Sequence, residues 1–258
     1  MSDSLSLSVV LPAYNEAENI GRVIANVVEY LSDREICYEI IVVNDGSTDM
    51  TQAIVTELAI ANSCIRLINH PQNLGYGSAL RSGFDQALHE YIFLTDGDGQ
   101  FEINDLDHFL PYIHNPQGNL LSKIVIGYRV KRADMFLRSL NAWLYHLFIQ
   151  LVLGIKVRDL DCAFKLLPRS VYQAIKPIKS DGALFSAELL LKMQNLPIIE
   201  LPVKHLPRKF GVATGANLKV ILKMFWECWQ LKKDYQNQNQ AQIQLNPNTL
   251  SGINQIRS

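Results

Sequence analysis

The chain has 258 residues, a formal net charge of −1 and 48% hydrophobic residues. This length suits one large α/β domain or two small ones, and the nearly neutral charge argues against a protein that binds nucleic acid through its overall charge. The four cysteines lack Cys-x-x-Cys spacing, so we expect reduced thiols of a cytoplasmic protein and no zinc site or disulfide framework. Residues 1–8 have neither a basic segment nor a long apolar core, so we expect no secretory signal.

Short apolar runs alternate with helical periodicity in the first half of the chain. We expect four strands here, at Leu7–Leu11, Tyr38–Val43, Ile65–Ile68 and Tyr91–Thr95. We expect helices at Glu16–Leu31, Met50–Ala61 and Ser78–His89, with Ser47, Thr48 and Asp49 available to cap the second. Strands that alternate with helices predict an α/β fold with a mostly parallel, doubly wound sheet.

The predicted helices of the second half of the chain are more apolar than those of the first half. Its predicted elements are a strand at Ile124–Gly127, an apolar helix within Met135–Ile155, a short segment at Cys162–Leu167, a helix at Leu184–Met193, a strand at Ile198–Val203 and an amphipathic helix at Leu218–Lys233. No run reaches the roughly 20 uninterrupted apolar residues that a spanning helix needs. The two apolar helices therefore either pack on the core or lie on a membrane surface without crossing it.

The composition changes at Asp234, after which Gln, Asn and Ser dominate. Such a segment buries too little apolar surface to offset its ordering entropy. We therefore predict a domain over residues 1–233 and a disordered tail over residues 234–258.

Polar clusters follow each of the four strands predicted in the first half. They are Pro12–Glu16, Asn44–Asp49, Asn73–Gly77 and Asp96–Gln100. Ligands of doubly wound sheets bind outside the carboxyl ends of the strands, so we expect these clusters to meet at one site.

The motif Asp96-Gly97-Asp98-Gly99, followed by Gln100, comes directly after the fourth predicted strand. Two carboxylates two residues apart at a strand end can both reach one hard cation, and the glycines let the backbone approach a ligand. Ions such as Mg²⁺ bind one or two carboxylates together with substrate phosphates. The motif therefore indicates a metal-bridged diphosphate, with a solvated Asp-Gly turn as the alternative.

The Gly-x-Gly pair formed by Gly75 and Gly77 is a weak indicator of a dinucleotide site. A dinucleotide fingerprint follows the first strand, whereas this pair follows the third, and Leu80 stands where the third glycine would be. We expect either a glycine turn whose backbone passes near a nucleotide or a plain loop.

Together, the order and spacing of these motifs resemble the family 2 inverting glycosyltransferases. The motifs are Val9–Glu16, Val43–Asp49, Asn73-x-Gly75-x-Gly77 and Asp96-x-Asp98-x-Gln100. A narrower resemblance is to the dolichyl- and polyprenyl-phosphate sugar synthases, of the dolichol-phosphate mannose synthase type. It rests on Gln100, Gly127-x-Arg129, Arg138, Asp161–Lys165, Glu188 and Arg208-x-x-Gly211.

This resemblance implies a GT-A fold that uses a GDP- or UDP-linked sugar with Mg²⁺ or Mn²⁺. By position, it implies a nucleotide-binding set of Pro12, Tyr14, Glu16, Asp45, Gly75, Gly77 and Asp96. It implies that Asp96, Asp98 and Gln100 hold the metal, and that Arg129, Arg138 and Arg208 meet phosphates. The residues expected to act in catalysis are Asp98, Arg129, Arg138 and Asp161.

The acceptor is inferred from what the sequence lacks. A hydroxyl acceptor needs a general base, whereas a phosphate monoester, with a second pKa near ~6, is already largely an oxyanion at neutral pH. The sequence shows no Glu-Asp pair downstream and no Gln-x-x-Arg-Trp motif, although Asp159 and Asp161 remain candidate bases. We therefore expect a polyprenyl phosphate acceptor and peripheral attachment to the cytoplasmic face of a membrane.

Two other activities stay open at this point. One is sugar transfer to a soluble or protein hydroxyl. The other is a sugar nucleotidyltransferase, which typically carries a Gly-rich, Arg-containing loop after its first strand. Pro12–Glu16 stands there instead, which makes this activity the weaker alternative.

Overall fold

The computed structural model describes residues 5–113, 123–130, 147–182, 184–208 and 226–237. The strands are β1 Ser6–Ala13, β2 Cys37–Asn44, β3 Ile65–Asn69, β4 Tyr91–Thr95, β5 Ile124–Arg129, β6 Phe164–Pro168 and β7 Ile198–Val203. The helices are α1 Ile20–Asp33, α2 Thr51–Ala61, α3 Tyr76–Asp85, α4 Leu110–Ile113, α5 (residues 147–153), α6 Arg169–Ile175, α7 Leu184–Met193 and α8 (residues 226–237). A 3₁₀ segment, Ile103–His108, precedes α4.

The described strands form one seven-stranded sheet in the order β3-β2-β1-β4-β6-β5-β7. All neighbouring pairs are parallel except those of β6, which runs antiparallel to β4 and to β5. This arrangement confirms the predicted α/β class with a mostly parallel, doubly wound sheet.

Two apolar cores lie on opposite faces of the sheet, because successive side chains of a strand point to opposite faces. In β1, Val9 and Leu11 join the core that contains α1, whereas Val10 joins the core that contains α3 and α7. Strands buried on both faces need continuous apolar runs, which is why residues 9–11 of β1 and 40–43 of β2 are all apolar.

The predicted bounds of β4, α7 and β7 are confirmed, and the other strands differ from the prediction by at most two residues at either end. Helix α1 begins at Ile20 instead of Glu16, and a turn precedes it in which the Asn19 and Ile20 N–H groups both donate to the Glu16 carbonyl. Helix α3 covers Tyr76–Asp85, so the predicted end at His89 is wrong. The 3₁₀ segment, α4 and α6 are not anticipated from the sequence.

The predicted apolar helices are described only in part. Residues 147–153 and 226–237 are helical, and the rest of Met135–Ile155 and Leu218–Lys233 lies outside the described residues. Helix α8 continues to residue 237, four residues past the predicted domain boundary, and residues 238–258 lie outside the described ranges. Among the helices that the structure describes, none is long and apolar enough to cross a membrane.

Candidate functional site

A cleft of about 700 Å³ opens at the carboxyl ends of β1, β2 and β4, where three of the four predicted polar clusters begin. Its lining residues are Pro12, Ala13, Tyr14, Asn15, Glu16, Asp45, Asn73, Tyr76, Ala79, Asp96, Gly97, Asp98 and Arg208. The expectation that the four clusters meet at one edge of the sheet is confirmed.

The loop after β1 is locked to the segment that leads into α2. The Asn15 N–H donates to Ser47 Oγ at 2.9 Å, and the Glu16 N–H donates to Thr51 Oγ1 at 2.8 Å. The N-cap residue of α2 is Met50, and Asp49, one residue before it, accepts the Thr51 N–H at 2.9 Å. These bonds turn the loop so that Pro12, Tyr14 and Glu16 face the cleft.

Asp45 organises the glycine turn at residues 73–77. Its Oδ1 accepts the Leu74 N–H and its Oδ2 accepts the Gly75 N–H, each at 2.9 Å. The His70 Nδ1 lies 2.7 Å from the same Oδ1. Since Asp45 is only 3% exposed, its carboxylate primarily holds this turn in shape beneath the cleft.

Gly75 and Gly77 approach protein backbone closely. A Cβ on Gly75 would lie 2.6 Å from the Asp181 carbonyl oxygen, and one on Gly77 would lie 2.6 Å from that of Ser180. The Asp181 carbonyl also accepts the Gly77 N–H at 2.9 Å. Neither glycine lines the cleft, so the structure explains both by packing against residues 180–182.

The segment at residues 179–182 is held in turn by Glu188 of α7, which is almost fully buried. The Glu188 carboxylate accepts the N–H groups of Lys179 and Ser180 at 2.8–3.0 Å and the Ser180 hydroxyl at 2.8 Å. Glu188, one of the residues behind the narrower family resemblance, therefore supports the glycine turn from below and does not reach the cleft.

Asp96 and Asp98 both line the cleft. Burial and the Asp98 carboxylate raise the pKa of Asp96 to about 7, although the Tyr76 hydroxyl, Lys165 and Arg129 each lower it. The Tyr76 hydroxyl donates to Asp96 Oδ1 at 2.9 Å. Two carboxylates that repel each other in this way favour a bound cation.

The donor set fits a hard divalent cation that shares its coordination with a ligand. Carboxylate oxygens are the ligands that Mg²⁺-type ions prefer, with substrate phosphates completing the shell. Among the described residues, no group of three or more His, Cys, Asp or Glu side chains is arranged to hold a metal without such help. Asp96 and Asp98 would therefore hold a cation together with oxygens from another molecule.

Gln100, the expected third metal ligand, is engaged elsewhere by part of its side chain. Its Nε2 donates to the Leu206 carbonyl at 3.0 Å, and its own N–H donates to Asp98 Oδ1 at 2.9 Å. Gln100 is not among the cleft-lining residues, and its role as a ligand stays a prediction.

Arg208 reaches the cleft from a distant part of the chain. Its Nη2 donates to Glu16 Oε1 at 2.6 Å and to Asp98 Oδ2 at 3.2 Å. Burial raises the pKa of Glu16, although the Asn19 amide and Arg208 lower it. Arg208 therefore joins the loop after β1 to the aspartate motif after β4.

Arg129 lies at the end of β5 and is bound to Asp159. Its Nε donates to Asp159 Oδ2 at 2.6 Å and its Nη2 to Oδ1 at 2.8 Å. Burial opposes protonation, but these bonds hold the pKa of Arg129 above its usual range. Arg129 does not line the cleft, and Asp159, one of the two candidate bases, is committed to it.

Asp161 lies on the loop between Asp159 and β6, next to a buried lysine. Lys165 is 1% exposed and donates from its Nζ to the Leu160 carbonyl at 3.1 Å and to the Cys162 carbonyl. Burial lowers the pKa of Lys165. The lysine fixes the loop that carries Asp161, although Asp161 itself is not a cleft-lining residue.

Residues 8–176 match the domain described as Glycosyl transferase family 2. The chain belongs to this family. Its predicted resemblance to family 2 is thereby confirmed.

Two relatives carry the narrower likeness. A dolichyl-phosphate beta-glucosyltransferase of Dictyostelium discoideum is 31% identical over 218 residues, which cover 78% of this chain and 66% of that protein. A dodecaprenyl-phosphate galacturonate synthase of Rhizobium johnstonii is 27% identical over 212 residues, which cover 81% of this chain and 62% of that protein. The chain therefore spans about two thirds of the length of these family 2 relatives, or less.

A solved structure shows the same fold. Glucosyl-3-phosphoglycerate synthase from Mycobacterium tuberculosis, in complex with Mn²⁺, UDP and glucosyl-3-phosphoglycerate, matches with a TM-score of 0.58 at 22% identity. The match covers 88% of this chain and 78% of the other. It confirms the GT-A fold of this family 2 chain.

The cleft thus brings together about half of the residues that the family 2 resemblance selected. Those that line it are Pro12, Tyr14, Glu16, Asp45, Asp96, Asp98 and Arg208, and those that do not are Gly75, Gly77, Gln100, Arg129 and Asp161. Arg138 lies outside the described residues. Sequence reasoning missed Tyr76, whose only indication was its place between the two glycines.

Proposed function

We propose that the chain transfers a sugar from a nucleoside-diphosphate sugar to a polyprenyl phosphate, with inversion at the anomeric carbon and with Mg²⁺ or Mn²⁺ bound. One observation carries the proposal. The described lining of the cleft has four carboxylates, on Glu16, Asp45, Asp96 and Asp98, against a single basic side chain, Arg208. A diphosphate enters such a surface only when a cation offsets the repulsion.

Asp96 and Asp98 are the residues that would hold the cation, with Gln100 as a further candidate. A bound cation supplies charge neutralisation for the departing diphosphate. The Tyr76 hydroxyl keeps one oxygen of Asp96 in a defined direction, and the Gln100 N–H does the same for Asp98.

The nucleoside is assigned to the part of the cleft formed by Pro12, Tyr14, Glu16 and the turn above Asp45. Tyr14 is 39% exposed and offers a ring face to a ribose or base. The assay includes both GDP- and UDP-linked sugars.

The acceptor is assigned as a phosphate because the carboxylates of the described cleft have other roles in this proposal: Asp96 and Asp98 hold the cation, and Glu16 pairs with Arg208. Asp45 is committed to the glycine turn, and Asp159 is committed to Arg129. A phosphate oxyanion attacks without losing a proton to the protein. The names of the two curated relatives, which act on dolichyl and dodecaprenyl phosphates, support this choice.

Helix α8 supports attachment to a lipid surface. Cys228 faces the core, whereas Trp226 and Trp229 are 60% and 59% exposed, and Lys233 lies over the Trp229 ring at 5.8 Å. Exposed tryptophans beside lysines suit the interface of an anionic membrane. All four cysteines fall within the described ranges and are free thiols, which supports the cytoplasmic face.

The test is a panel of GDP- and UDP-sugars with a polyprenyl phosphate and Mg²⁺ or Mn²⁺, read out by lipid-linked product. We expect product with one donor, its loss with chelator, and a loss of at least about 100-fold in Asp98→Ala, the size typical of removing a key electrostatic group. Asp107→Ala, a surface aspartate bound to Arg34, is the matched control and should keep full activity. Product formed only with soluble hydroxyl acceptors would contradict the acceptor assignment.

Attachment to lipid has its own assay. The wild-type protein should float with anionic vesicles, and Trp226→Ser with Trp229→Ser should not. Sedimentation of the wild-type protein away from the vesicles would contradict this part of the proposal.

A further inference from the structure

Arg208 occupies a particular oxygen of the aspartate motif. Asp98 Oδ1 accepts the Gln100 N–H at 2.9 Å, so Oδ2 is the oxygen that this backbone bond leaves free. That oxygen, Oδ2, lies 3.2 Å from Arg208 Nη2. The guanidinium therefore lies at one of the two oxygens through which Asp98 would bind a divalent cation.

The backbone brings Arg208 to this position. Residues 204–206 run beside residues 100–102, with an antiparallel bridge between Phe101 and His205. The Leu206 N–H donates to the Gln100 carbonyl at 2.8 Å, and Gln100 Nε2 donates back to the Leu206 carbonyl at 3.0 Å. Two residues after this anchored pair, the Arg208 side chain reaches Asp98, so the contact is specified by sheet-like pairing.

Arg208 also pairs with a second carboxylate, that of Glu16. Glu16 Oε1 accepts from the same Nη2 at 2.6 Å, and the Glu16 side chain is 8% exposed. One guanidinium nitrogen thus bridges two largely buried carboxylates from distant parts of the chain. A divalent cation bound at Asp98 Oδ2 would repel the guanidinium that contacts the same oxygen, so each cation weakens the contact of the other.

We propose that Arg208 is an internal cation that neutralises Asp98 when no metal is bound, and that a divalent cation must displace it. This inference rests on the proposed function, which places the cation at Asp98. Displacement frees a guanidinium fork at the cleft, and such forks match phosphate oxygens well. The protein thereby links the arrival of the cation to the exposure of a phosphate-binding arginine.

As a consequence, the site should have a low affinity for the cation alone and a higher affinity when the sugar donor is bound. Without nucleotide, the cation must break the ion pair between Arg208 and Asp98. With a diphosphate present, the displaced arginine gains new partners, and the cation gains phosphate oxygens. Binding of the cation and of the nucleotide therefore favour each other, and the coupling is reciprocal.

The experiment measures Mn²⁺ binding to the full chain by the loss of the free-ion EPR signal, with no sugar donor present. Arg208→Gln should bind Mn²⁺ about tenfold more tightly than wild type, a change equal to about 1.4 kcal/mol. Arg208→Lys, which keeps the charge, should stay closer to wild type. Arg34→Gln, which breaks a surface ion pair with Asp107, is the matched control and should leave the affinity unchanged.

A second series adds saturating UDP or GDP. The advantage of Arg208→Gln should disappear or reverse, because the wild-type arginine then has phosphate partners. Equal Mn²⁺ affinity of wild type and Arg208→Gln without nucleotide, with binding abolished in Asp98→Asn, would overturn this inference and leave the proposed function standing. Mn²⁺ binding that Asp98→Asn leaves intact, with or without nucleotide, would overturn the cation site itself.

Discussion

The substitution Asp45→Asn tests whether one buried carboxylate holds the glycine turn. Asp45 accepts three contacts, from the Leu74 N–H, the Gly75 N–H and His70, with two of them on Oδ1. Asparagine has one accepting oxygen, and its NH₂ group cannot accept. Whichever way the amide is turned, at least one backbone N–H faces another donor in a buried site.

An unsatisfied buried group costs about 1–3 kcal/mol, so we expect the free energy of unfolding to fall by that amount. Urea denaturation at neutral pH measures it, and an unchanged m value would show that the loss is one of stability. Asp107→Asn, an exposed carboxylate bound to Arg34, is the control and should change the stability far less. An equal loss in the two variants would refute the reasoning.

Two further predictions concern packing and pH. Gly77→Ala should lower the free energy of unfolding by about 1–3 kcal/mol, because the new Cβ would lie 2.6 Å from the Ser180 carbonyl oxygen. Gly182→Ala is the control, since its Cβ would have no atom within 4 Å, and it should leave the stability unchanged in the same urea assay. Burial opposes ionisation of Glu39, but bonds from a serine hydroxyl, a backbone N–H and Arg66 hold its pKa below the usual 4.5. The contribution of Glu39 to stability is therefore complete above pH 4.5 and is lost as the pH falls below that value. In Glu39→Gln, the free energy of unfolding should fall less steeply between neutral and acid pH than in the wild type. An unchanged pH dependence below pH 4.5 would contradict this prediction.

Local sequence was sufficient to predict the sheet. The strands of the first half contain short apolar runs, interrupted by Ser8, Glu39 and Arg66, and α1 has a clear helical apolar period. Both patterns arise from burial of the strand on two faces and of the helix on one. The ends of elements were less predictable: a turn closed by the Glu16 carbonyl precedes α1, which begins at Ile20 and not at Glu16.

The binding partners of Arg129 and Arg208 could not be predicted from the sequence. Arg129 and Arg208 both fitted the family pattern for phosphate contacts, yet Arg129 pairs with Asp159 and only Arg208 lines the cleft. The partner of an arginine depends on which carboxylate the fold brings within about 3 Å, the usual range of such a bond. Asp98 is separated from Arg208 by 110 residues, and no local pattern records that contact.

By itself, the sequence determined the α/β class, the family and the four strand-end clusters, because all of these are local patterns of burial, turn and spacing. The tertiary structure decided which members of those clusters face the cleft. In the folded chain, Asp45 accepts backbone N–H groups of the glycine turn, and Gly75 and Gly77 pack against residues 180–182. The fold also brings Arg208 into contact with Asp98. Those roles come from backbone segments that meet across the sheet edge, where the position of each group is set by long-range packing.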